Sequence, residues 1–110
     1  MNENEIIILN KLKKHSGAVS AITYKNLAFL TGINEREVRL CVANLVTEYQ
    51  CPIATTSDAG YYWLSNDEEY LHASNELMSR IRKLSKRHKG LRIGYGKSKQ
   101  TVKPLQEVLF

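Results

Sequence analysis

Between residues 80 and 103 the chain carries ten cations and no anion: Arg80, Arg82, Lys83, Lys86, Arg87, Lys89, Arg92, Lys97, Lys99 and Lys103. Such a run suits the neutralisation of a polyanion, because each Lys or Arg placed on a phosphate releases condensed counterions. Six of them, Arg80, Arg82, Lys83, Lys86, Arg87 and Lys89, fall at helical spacing in two columns that flank an apolar stripe. A second group lies upstream, where Arg36, Arg39, Ala43 and Thr47 recur on one face of a helical pattern. Arg matches the acceptor pair on a guanine edge, and Ala or Thr can meet a thymine methyl. Glu35 and Glu37, beside these residues, work against a phosphate backbone.

Patterns for catalysis or metal binding do not form. Gly94-Tyr95-Gly96-Lys97 lacks the spacing of a phosphate-cradling glycine loop and the helix that should follow it. His15, His72 and His88 are scattered, without metal-ligand spacing. Asp67, Glu68 and Glu69 suit a helix start, where carboxylates complement the positive end of the dipole. The expectation is a non-enzyme with no cofactor and no metal. Cys41 and Cys51 form no CxxC or Cys/His pattern, so two reduced, buried thiols are expected.

The whole chain has 110 residues, a net charge of +5 and 43% hydrophobic residues, which suits one domain with a modest core. The charge is divided unevenly. Residues 1–79 hold six basic against ten acidic side chains, so a mildly acidic head precedes a strongly basic tail. No run approaches the roughly 20 apolar residues of a membrane span. Ile6-Ile7-Ile8-Leu9 follows Glu3 and Glu5 rather than a basic segment, so no secretory leader is expected and the location should be cytoplasmic.

These residues must be positioned by elements that the pattern also suggests. Residues 4–15 predict a first helix with Ile7, Ile8, Leu9 and Leu12 inward, stopped by Ser16-Gly17. Ala18 to Ile22 suits a minor strand. Thr23 caps a second helix over Tyr24–Thr31, with Leu27, Ala28 and Leu30 inward and Gly32 ending it. Asn34 and Glu37 have capping-box spacing for a third helix that buries Val38, Cys41, Val42, Leu45 and Val46. Residues 52–56 and 61–64 predict a hairpin around Ser57-Asp58-Ala59-Gly60, with at least one of Tyr61, Tyr62 and Trp63 in the core. Asn66 caps a long basic helix to about Lys89. Its Tyr70, Ser74, Leu77, Ile81, Leu84 and His88 repeat at alternating spacings of four and three, which packs on the first helix or pairs two chains through residues 70–88.

The expected fold is therefore mainly α with a small β-hairpin: a winged helix-turn-helix followed by a long C-terminal helix and a flexible tail. The expected divisions are a winged-helix domain over 1–65, the basic amphipathic helix over 66–89, and a flexible basic tail over 90–110.

Two resemblances add to this. Ile33-Asn34-Glu35-Arg36-Glu37-Val38-Arg39, Leu45, Pro52-Ile53 and Gly60-Tyr61-Tyr62 resemble small winged-helix proteins of phages and prophages, over about residues 5–90. That resemblance implies a bacterial host cell and DNA binding in replication or gene control. The terminal Gln106-Glu107-Val108-Leu109-Phe110 resembles the peptide by which bacterial replication and repair proteins dock on the sliding clamp. It implies that Leu109 and Phe110 fill an apolar pocket while Gln106 bonds its rim. The expectation is a DNA-binding accessory protein of phage-type replication or recombination that docks on the clamp. The alternatives are a dimeric regulator of phage genes, or an inhibitor of host replication that binds no DNA.

Overall fold

The computed structural model describes residues 1–100. Its elements in order are α1 (Glu3–Leu12), a 3-10 turn (Ala18–Ser20), β1 (Ile22–Thr23), α2 (Tyr24–Thr31), α3 (Glu35–Thr47), β2 (Ile53–Thr55), β3 (Gly60–Trp63) and α4 (Asp67–Gln100). The chain is mainly helical, with an antiparallel sheet ordered β1-β3-β2 and a long C-terminal helix.

Each helix of the first unit starts on a side chain that satisfies a free backbone donor. At α1 the bond is reciprocal: Glu5 N–H donates to Asn2 Oδ1 and Asn2 N–H donates to Glu5 Oε1, both at 2.8 Å. Thr23 Oγ1 accepts from Asn26 at α2, and Asn34 Oδ1 accepts from Glu37 N–H at 2.8 Å at α3. Only the Asn34 half of the expected capping box forms there. The Glu37 carboxylate instead accepts from the Cys41 thiol, 3.8 Å away and one turn on. Gly32 ends α2 in the left-handed region, φ 74°, as its position after the last apolar residue requires.

The core is one cluster in which Ile8, Leu12, Leu27, Val38, Cys41 and Leu45 are fully buried. Three apolar residues expected inside it, Ile7, Leu30 and Val46, lie exposed. A helix of this small unit can turn only a narrow stripe inward, and neighbours of that stripe stay at the rim. The hairpin pairs Ile53 with Trp63, Ala54 with Tyr62 and Thr55 with Tyr61, and β1 adds Ile22 opposite Tyr61. Alternation along β3 then buries Tyr62 and leaves Tyr61 and Trp63 half-exposed.

Two residues of the hairpin turn are constrained in different ways. Ala59 takes the left-handed conformation, at φ 65°. Gly60 is required for space instead, since a Cβ there would sit 2.8 Å from Thr56 Oγ1. That hydroxyl is already committed, accepting from Gly60 N–H and donating to Asp58.

Two compact units divide the chain, Met1–Ala73 and the residues from Ser74 on. The first therefore reaches past the expected boundary at residue 65 and takes in the opening turns of α4. Those turns are tied down by Glu69. Its Oε2 accepts from Ala18 N–H at 2.7 Å, and its Oε1 accepts from Ser65 N–H and Ser65 Oγ–H at 2.9 and 2.7 Å. Asn66 caps the same turn through Glu69 N–H, as its position predicts. At the other end, α4 does not stop near Lys89 but continues through Gly90, Gly94 and Gly96 to Gln100. Residues 90–100 are thus helical where a flexible segment was expected. Glycine inside a helix costs about 1 kcal/mol relative to alanine, which weakens a helix without breaking it, and no proline interrupts the run.

Two outcomes follow. Ala59→Gly should raise stability by about 0.5–1 kcal/mol in denaturant melts by relieving the left-handed strain, whereas Gly60→Ala should lower it by about 1 kcal/mol or more. The three hydrogen bonds to Glu69 hold its carboxyl below the ordinary carboxylate pKa. A depressed folded pKa contributes stability that is complete above the ordinary value and is lost as pH falls through the folded one. Acid should therefore loosen the α4 start only once pH falls below the ordinary carboxylate range, and hydrogen exchange at Ala18 N–H should report it; Glu69→Gln should remove that pH dependence.

Candidate nucleic-acid interface

The capped α3 buries Val38, Cys41, Val42 and Leu45, so its opposite face is presented to solvent. Arg36, Arg39, Ala43 and Thr47 all lie on that exposed face, together with Leu40, as the spacing predicted. Two of them are less free than exposure alone suggests. The Arg39 guanidinium stacks over the Tyr24 ring, 4.1 Å from its centroid, and so is held by the first residue of α2. Thr47 Oγ–H donates back to the Ala43 carbonyl at 2.9 Å, which leaves its oxygen as an acceptor and its methyl as an apolar contact.

Arg36 and Arg39 line one shallow hollow with Glu35 and Leu40. Of the two carboxylates that oppose phosphate, only Glu35 shares this face; Glu37 turns inward to Cys41. Tyr61 of β3 is close enough for Arg39 to act on its phenol, which half-burial pushes up in pKa and the nearby guanidinium pulls down. Burial, with Glu37 and Glu5 adding negative charge nearby, raises the Cys41 thiol to about 11. Both cysteines are free thiols; Cys41 is buried as expected, while Cys51 is only half-buried.

In the second unit, Arg80, Arg82, Lys83, Lys86, Arg87 and Lys89 are all exposed on α4. At 100° per residue, Arg80, Lys83 and Arg87 form one column and Arg82, Lys86 and Lys89 another, on either side of the apolar stripe. The helix adds Arg92, Lys97 and Lys99 to the described cations, and Lys99 lies 4.9 Å from the Tyr95 ring one turn back. Gln106, Leu109 and Phe110 lie outside the described residues.

Sequence reasoning missed two features of the head. Tyr24 was assigned only to a helix start, although an aromatic beside a predicted recognition Arg is a ready platform for it. The second is an apolar patch around a surface groove, where Val19 is fully exposed and Phe29 is 85% exposed. Among the described residues no group of three His, Cys, Asp or Glu side chains could hold a metal, and no helix is long and apolar enough to cross a membrane.

Comparison with protein-family models, with curated proteins and with solved structures finds no match to this chain. Its function is therefore argued from its own residues.

The thiols supply a check on the packing beneath α3. Cys51 should react with an aromatic disulfide reagent at pH 8 in the folded chain, and Cys41 only on unfolding. Rapid reaction of both would contradict a close-packed core there.

Proposed function

We propose that this chain is a winged-helix DNA-binding protein, a non-catalytic accessory of phage-type replication or recombination. The observation that carries the reading is the pair of exposed cation columns on α4, in a stretch that holds no Asp or Glu from 80 to 103. A solvated helix face usually mixes both signs, and a block of one sign at this density is a common mark of a segment that meets a polyanion. The order of elements in the head supports the same reading. α2, the Gly32 turn and α3 have the sequence of a helix-turn-helix, and the β2–β3 hairpin follows where a wing belongs.

The head and the helix have different parts in this reading. The α4 columns hold phosphates without regard to sequence. Arg36 and Arg39, with Ala43 and Thr47, offer base-edge contacts, and the stack on Tyr24 orders the Arg39 guanidinium before it binds. That ordered Arg is also what favours a second reading, a regulator that recognises one operator. By sequence resemblance, the terminal Gln106, Leu109 and Phe110 would tether the assembly to the bacterial sliding clamp, where a tether raises local concentration without new contacts.

Fluorescence anisotropy on duplex DNA across a salt series tests the proposal. Affinity should fall linearly on a log–log plot, and each Lys or Arg of the two columns changed to Gln should reduce the slope by about 0.9. No binding at low salt would sink the reading. Arg36→Ala and Arg39→Ala should leave generic binding nearly unchanged; a loss of about 1–3 kcal/mol confined to one sequence would favour the regulator. Truncation after Val102 should abolish clamp binding and preserve DNA binding.

A further inference from the structure

The side chains of α4 keep a strict seven-residue register from Tyr70 to Tyr95. One row is Tyr70, Leu77, Leu84 and Leu91; the other is Ser74, Ile81, His88 and Tyr95. The register is complete only because the helix continues past Gly90, which brings Leu91 and Tyr95 onto the stripe. All six apolar members are more than half exposed. A helix that packs on a globular core follows a 3.6-residue period, whereas strict alternation of four and three over nearly four heptads keeps one seam facing a supercoiled helical partner.

We propose that a second copy of this chain covers the stripe, forming a parallel, in-register coiled coil through α4. Leu at 77, 84 and 91 with Ile81 on the alternate row is the combination that favours two parallel strands. A copy in the same register sets each of these leucines against itself, so the seam is complementary without a second sequence. Beside the N-terminal half of the seam lie Leu71, Ala73 and Met78, which widen the apolar contact, and Leu71 and Met78 are exposed. Beside its C-terminal half lie Arg80, Arg87 and Arg92, which stay at the solvent edge when the seam closes.

Those arginines give the dimer an unusual salt dependence. Parallel pairing brings Arg87 of one copy towards Arg92 of the other, and no acidic residue in this part of the chain offsets them. Salt screens that repulsion and tightens the dimer, whereas salt weakens any contact with a polyanion. The inference goes beyond the DNA-binding proposal and does not rest on it.

Sedimentation equilibrium of the full chain tests it. The mass should approach twice 12.6 kDa. From about 50 mM to about 500 mM NaCl the association constant should rise roughly three- to tenfold. Leu77→Glu combined with Leu84→Glu should return the chain to monomer, with the near-ultraviolet signal of Trp63 showing that the head remains folded. A wild-type chain that is monomeric at high salt overturns the proposal and leaves the stripe to a different helix. Register is read separately: in a Cys51→Ser background, His88→Cys should form an interchain disulfide on mild oxidation, and Lys86→Cys, on the outer face, should not. A dimer that fails to cross-link through His88→Cys overturns parallel pairing. Monomers that still bind DNA would defeat only this inference, and dimers that bind none would defeat only the functional one.

Discussion

What α3 buries decides what it can offer. Val38, Cys41, Val42 and Leu45 face Ile8, Leu12 and Leu27 in a single small cluster, and each fully buried large side chain contributes about 1.5–3 kcal/mol. In a head of this size no second cluster competes with that one. The rotation of α3 about its axis is therefore set by packing, and Arg36, Arg39, Ala43 and Thr47 face outward as a consequence. The sheet serves the same arrangement: Tyr61 packs against the cluster and reaches the neighbourhood of Arg39 and Tyr24.

The second unit follows a different physics. α4 as a whole is held by local terms: its capped start and the acids Asp67, Glu68 and Glu69, which lie in the first unit, and, beyond Ser74, side-chain pairs such as Lys99 over Tyr95. Against them stand three glycines and cations placed three and four residues apart, each such pair costing a few tenths of a kcal/mol. A helix with that balance benefits from whatever covers its apolar seam and whatever neutralises its columns. On the readings proposed here, a second copy and a phosphate backbone supply these two terms, and the columns border the seam that the second copy covers.

Much of this was legible without coordinates, because the signals concerned act within a few residues. Thr23, Gly32, Asn34 and Asn66 are caps or stops whose chemistry is local, and they placed α2, the start of α3 and the start of α4 where they are found. The Asn2 and Glu5 pair carried the same signal and was overlooked, although its box is the fully formed one. Period-two alternation showed that one aromatic of β3 must be inside. The four α3 positions and the six α4 cations were read directly from helical spacing and stand exposed as expected.

By itself, then, the sequence determined element order, caps, the two faces of α3 and the segregation of charge, since each depends only on residue type and short spacing. Tertiary structure decided the rest, because it depends on partners far along the chain. Ile7, Leu30 and Val46 are apolar at plausible core positions, yet only packing excluded them from it. Ala18 meets Glu69 across fifty-one positions, and nothing local marks either residue for the other. Arg39 stacks on Tyr24 because α2 and α3 converge on a shared core. The run of α4 past Gly90 lies between the two cases: three glycines looked like a break when counted, but their cost was small beside a helix already nucleated and capped upstream.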